Sequence, residues 1–197
     1  MRYAVRSLVV ELFEAMDRAR AEFESRLPAV TEQDWPRPTP CTEWDVRALV
    51  DHVIGGCKRY AMLLHGASAE ETNALRTVDH IGADAPASFR AASDEMTAAF
   101  HEPGALERTV HHPAGDRPGL VLAGMRVIDF ALHGWDLARA IGADDTLDPE
   151  LVEWCWAVLS GMSGELSQGG FFQPPTGELP EDAPLQDRLL HLTGRTP

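Results

Sequence analysis

A chain of 197 residues, 44% hydrophobic and 24% charged, is long enough to bury one sizeable core and is expected to form a single globular domain, 1–197. Acids outnumber Lys and Arg by 31 to 17, for a net charge of −14, which argues against nucleic acid and anionic membrane surfaces as partners, since both are bound through basic side chains. No apolar run is long enough to span a membrane, and charges break the N-terminus too early for a signal peptide, so the expected location is cytoplasmic.

Val5, Leu8, Val9, Leu12, Phe13, Met16, Ala19, Phe23 and Leu27 recur at helical spacing and predict a long amphipathic helix over 2–27, stopped by Pro28. The proline-rich stretch to Cys41 then reads as an extended connection, with Trp35 as its anchor. Thr42, followed by Glu43 and Asp45, resembles an N-cap, and Val46, Leu49, Val50, Val53, Cys57, Tyr60 and Leu64 continue a second helix over 42–65. His52 stands at the edge of its apolar stripe. The adjacent Gly55 and Gly56 cost a helix about 1 kcal/mol each relative to alanine, so they mark close packing or space kept open beside a site.

A short helix near 69–76 comes next, then a third main helix from the Asp84 cap to about 101. Residues 102–118 hold Pro and Gly at turn positions and predict a short hairpin with 107–112 as one arm. His111 and His112 lie within it, and adjacent histidines on a strand point to opposite sides, which favours a loop role over a metal pair. Gly119 to Ile141 forms the fourth main helix, stopped by Gly142. One ridge of it carries Gly124, Val127, Ala131, Gly134 and Ala138, small enough for a close neighbour, either in the same chain or in a second copy forming a homodimer. Asp148-Pro149-Glu150 starts a fifth helix to about 167, an irregular Pro- and Gly-rich wrap follows, and 185–192 makes a last short helix.

The fourth main helix carries the most informative stretch. Asp129, His133 and Asp136 share one stripe, four and then three residues apart, among Leu122, Met125, Leu132 and Ala140. Arg126 and Arg139 stand three residues from Asp129 and Asp136, so this stretch taken alone reads first as ordinary intrahelical ion pairs on a solvated face. With His52 added from the second helix, His52, Asp129 and His133 are the parts of an open metal site in a bundle core, suited to zinc and also to nickel, iron or manganese. Cys41, Cys57 and Cys155 form no CxxC and predict neither a disulfide framework nor a zinc-cysteine site; Cys41, just before a helix start, is either a reactive thiol or a small buried residue. Arg59 lies seven residues beyond His52 on the same face, where it either meets a carboxylate of a substrate or thiol cofactor or is solvated.

The segments Pro40-Cys-Thr-Glu-Trp-Asp-Val-Arg-Ala-Leu-Val-Asp-His52 and Asp129-Phe-Ala-Leu-His133-Gly-Trp-Asp-Leu-Ala-Arg-Ala-Ile-Gly142, with the tail Ala183-Pro-Leu-Gln-Asp-Arg-Leu-Leu, resemble the mycothiol-dependent maleylpyruvate isomerase N-terminal domain family, within the DinB/YfiT-like bundles. The resemblance implies an all-α, four-helix bundle with additional short helices, and a metal held by a histidine on the second helix and an acid-xxx-histidine pair on a later one, positions that match His52, Asp129 and His133. Two departures stand out: the isomerase has Glu where this chain has the shorter Asp129, and it carries a C-terminal domain with no counterpart here. The expected function is that of a metal-dependent enzyme using a mycothiol-like thiol for isomerisation or S-transfer on a small electrophile. Two alternatives stay open, a bundle that holds a metal or small ligand without turnover, and a structural dimer module whose polar stripe is an ion-pair network.

Overall fold

The computed structural model describes residues 2–161 and 172–197, with side chains from residue 9 onward. Its residues fall into two compact units, Met1–Asp144 and Asp145–Pro197. In the first, the helices are α1 (Arg2–Arg26), α2 (Val46–Leu64), α3 (Ala69–Ala74), α4 (Ala85–Phe100) and α5 (Gly119–Ile141), with a two-stranded antiparallel hairpin, β1 (Thr109–Val110) and β2 (Arg117–Pro118), between α4 and α5. The second holds α6 (Pro149–Ser160) and α7 (Leu185–Leu192).

Helices α1, α2, α4 and α5 make the four-helix bundle: α1 packs along α5, and α2 packs along both α4 and α5. The apolar periodicity read in the sequence supplies its centre. Phe23 of α1, Phe89 of α4 and Phe130 of α5 are fully enclosed, with ring centroids 5.0 Å (Phe23–Phe89), 5.6 Å (Phe89–Phe130) and 6.4 Å (Phe23–Phe130) apart. Burying each such ring stabilises the fold by roughly 1.5–3 kcal/mol. The small-residue ridge of α5 finds its neighbour within the same chain at Gly134, where an added Cβ would lie 3.8 Å from the backbone of Phe23 on α1.

The caps explain where the helices begin and end. Asp84 and Asp148 accept from backbone amides of the first turns of α4 and α6, as the sequence indicated, and Gly142 ends α5 in the left-handed region at φ 71°. The start of α2 differs from the expectation. Its cap is Asp45, which accepts from the Ala48 amide, and Thr42 lies in a turn before it. That turn forms because Thr39 pairs with Trp44 and Val46 with Arg37 through the backbone, a local alternative to helix that uses the amides of Thr39, Trp44 and Val46. The connection before it is likewise more ordered than its prolines suggested: buried Asp34 accepts from the amide and hydroxyl of Thr31 and from Arg37, closing a turn.

In the second unit α6 and α7 pack together, with Arg188 4.7 Å above the Trp156 ring and Gln186 bonded to both the Leu147 amide and the Asp145 carbonyl. Residues 172–184 are irregular, as expected. The end of the fifth predicted helix, 162–167, lies outside the described residues.

Candidate metal centre

Helices α2 and α5 bring His52, Asp129 and His133 together. Nε2 of His52 lies 3.3 Å and Nε2 of His133 3.6 Å from the same oxygen, Oδ1 of Asp129. One donor atom from each of the three falls within 4.8 Å of the others, so the group could hold a cation. All three side chains are largely enclosed, His133 the most. Trp44, delivered by the turn before α2, covers both rings, at centroid distances of 4.4 Å from His52 and 5.5 Å from His133.

Around these three stands a second layer of contacts. Asp136, one turn beyond His133 and wholly buried, accepts at Oδ2 from His133 Nδ1 at 2.9 Å and from the Cys41 thiol at 3.2 Å. The two nitrogens of His133 are thereby separated in role: Nδ1 faces Asp136 and Cys41, Nε2 faces Asp129 and His52. On the other side, Arg126, 2% exposed, reaches Asp129 Oδ2 at 3.2 Å, the intrahelical pair that the spacing allowed. Oδ2 is enclosed without a well-aligned hydrogen bond, so the contact is an ion pair only. Arg126 also donates to the Val53 carbonyl and lies 4.5 Å above the Tyr60 ring. Gly56 makes room for it, since a Cβ there would come within 2.4 Å of the guanidinium.

The electrostatics follow from this layout. Burial works to raise the Asp129 pKa, but the charges of Arg126, His133 and His52 outweigh it and hold the carboxyl far below the usual range. Burial works to lower that of His133, but Asp129 and the contacts from Asp136 and Cys41 raise it to about 10. For His52 burial wins over the pull of Asp129, and its pKa is lowered. The two imidazoles beside one carboxylate are therefore pulled in opposite directions, His133 toward its charged form and His52 toward its neutral one.

The remaining residues singled out in the sequence lie apart from these donors or beside them. Cys57 and Cys155 are buried in their units, whereas half-buried Cys41 stands at the site. His111 pairs with Asp116 on the exposed hairpin, and His112 packs edge-on against Tyr60. Arg59 is buried, with its Nη1 beside Gly55 and near the His80 ring. Sequence reasoning did not place Trp44, Cys41 or the burial of Arg126 at the centre; the segment Pro40 to His52, which contains the first two, was the available signal.

These features define an all-α bundle enclosing a histidine–carboxylate centre between two of its helices. The chain belongs to the mycothiol maleylpyruvate isomerase N-terminal domain family, whose model matches residues 16–138. It is 33% identical over 188 residues to an uncharacterized protein found in two strains of Mycobacterium tuberculosis, covering 92% of this chain and 96% of that one. Two crystal structures of the mycothiol-dependent maleylpyruvate isomerase, one of them of a mutant, have the same fold. They align with TM-scores of 0.60 (mutant) and 0.59, at 16% and 17% identity, covering 85% and 79% of this chain and 73% and 72% of theirs. Among the described residues no helix is long and apolar enough to cross a membrane.

Proposed function

We propose that this chain is a metal-dependent enzyme that works with a low-molecular-weight thiol, mycothiol or one like it, in isomerisation or S-transfer on a small electrophile. His52, Asp129 and His133 would hold the ion, with zinc favoured and nickel, iron or manganese also suited to two imidazoles and a carboxylate. The observation that carries this reading is the pair of separations, 3.3 and 3.6 Å, from one carboxylate oxygen to two imidazole nitrogens. Ligands at about 2.0–2.2 Å from a tetrahedral ion stand about 3.3–3.6 Å from one another, whereas a direct N–H···O bond closes to about 2.9 Å.

A bound divalent ion would lower the pKa of a thiol, or polarise a substrate oxygen, in the positions that three protein ligands leave open. The chain's own residues prepare for it. Asp136 accepts a hydrogen bond from His133 Nδ1–H and so leaves Nε2 aimed at Asp129. Trp44 keeps water from one face of both rings. Arg126 offsets the Asp129 charge from the buried side, so that the open face is left to the ion and its ligands. Membership of the mycothiol maleylpyruvate isomerase N-terminal domain family, and the likeness in fold to the mycothiol-dependent isomerase, support the thiol.

Metal analysis tests this. Protein purified without chelator, or reconstituted with zinc, is expected to carry about one ion per chain, and His133→Ala to lose it. If both remain metal-free after reconstitution, the enzyme reading is abandoned and an ion-pair network without metal is left. If metal binds but mycothiol leaves the spectrum of the cobalt-substituted protein unchanged, a non-catalytic metal-binding bundle replaces the enzyme.

A further inference from the structure

Arg59 is anomalous in this protein. It is only 8% exposed, yet it makes no hydrogen bond and no ion pair among the described residues. The enclosed side-chain nitrogens that lack a hydrogen bond include His80 Nδ1 and Arg126 Nε but none from Arg59, so its guanidinium opens onto accessible space. An arginine in this condition has given up most of its water without gaining an anion, which is unfavourable unless a ligand supplies one.

Its surroundings are cationic as well. Arg76 on the 3-10 turn after α3 bonds to Asn73, and Arg117 on β2 bonds to the carbonyls of Ala114 and Gly115 and to Met125 sulfur; neither has a carboxylate partner among the described residues. Burial and then the fields of Arg76 and Arg126 lower the Arg59 pKa to about 10, and burial and then Arg117, Arg76, Arg59 and Arg126 lower that of His112 to about 4. Of these arginines Arg126 alone is matched, by Asp129. Gly55 leaves room beside Arg59: a Cβ there would come within 2.9 Å of the arginine Nη1 and 2.4 Å of the His80 ring.

We propose that Arg59, buried on α2 without a hydrogen bond or ion pair among the described residues, forms an anion site that receives the carboxylate of a small organic acid. The planar fork of Arg59 suits bidentate carboxylate, and phosphate shares that chemistry. Arg59 follows His52 by seven residues on α2, about 10 Å of helix, and Arg117 reaches Met125, one turn before Asp129 on α5. An acid held there would extend its other end toward His52, Asp129 and His133. The anion site stands by itself, while its service as the far end of a substrate pocket rests on the metal reading above.

The test uses the full chain in chelator, free of metal, titrated with succinate, with inorganic phosphate and with chloride as control, and followed by amide chemical shifts and thermal melting. Saturable binding of succinate tighter than phosphate is expected in the wild type, weakened at least 10-fold in Arg59→Met and partly restored in Arg59→Lys. Arg59→Met should melt no lower than the wild type in the absence of ligand, because it removes an unmatched buried charge; a purely structural arginine would lower the melting point. Tighter binding of phosphate than of succinate would overturn the carboxylate assignment. Equal binding in wild type and Arg59→Met, or no saturable binding in either, would overturn the site. Because the protein is metal-free throughout, these outcomes are independent of whether His52, Asp129 and His133 hold an ion.

Discussion

Asp136 shows how a residue three positions from a candidate ligand can govern it without touching the ion. It is fully enclosed, accepts from both His133 and Cys41, and contributes to the raised pKa of His133. Asp136→Asn keeps the shape and removes the charge that favours Nδ1–H. Metal affinity is expected to fall about 10- to 100-fold, with the helical circular dichroism unchanged. Isothermal titration with zinc would measure this, and an unchanged affinity would show that Asp136 does not orient the ring. At this scale His52, Asp129 and His133 were legible because polar side chains on an apolar stripe stand out against helical periodicity. Cys41 and Trp44 were not, because they sit in a turn, where no period says which way a side chain points. The opposite roles of the two imidazoles were illegible as well, since they follow from unequal burial and from which nitrogen faces which acid.

The elements are held in place by glycines as much as by the apolar faces. Gly55 and Gly56 on α2 seat the guanidiniums of Arg59 and Arg126, so the helix propensity given up at this pair is exchanged for two arginines packed against the helix backbone. Gly119, the first residue of α5, shows the same constraint against backbone. A Cβ there would stand 2.0 Å from the Ala105 carbonyl oxygen, and its own amide bonds the Arg108 carbonyl. Gly119→Ala is therefore expected to destabilise the fold by about 3 kcal/mol, because main chain rather than a flexible side chain must move. Denaturant unfolding would measure it, with Gly134→Ala as the control. There the nearest atoms lie at 3.5–3.8 Å, and the expected cost is below about 1 kcal/mol. The helices were legible from their caps and periods. The α2 start was misplaced because the Thr42 pattern and the Asp45 pattern both satisfy cap chemistry, and the backbone pairing of residues 37–46 decided between them.

For the whole molecule, the charged imidazole ties stability to pH. The folded pKa of His133, about 10, stands above its ordinary 6.5, so in the metal-free protein its contribution is full below about 6.5 and is lost as pH rises through about 10. Metal requires the Nε2 proton to leave, so zinc affinity should rise over the same interval with release of a proton. Melting temperatures of the chelated protein are expected to decline between those two pH values while the increment from added zinc grows. Parallel curves with and without zinc would contradict the ligand role of His133. The sequence by itself determined the helices, the caps of α4 and α6, the apolar faces and the residues able to bind a cation, because each depends on neighbours within a turn or two of the same chain. Only the tertiary structure decided that His52 meets Asp129 across two helices, that Cys41 and Trp44 close over them, and that Arg59 lies buried with no hydrogen bond or ion pair among the described residues. Those meetings join residues as many as 95 positions apart, and the packing of α1, α2, α4 and α5, not any local pattern, sets the distances between them.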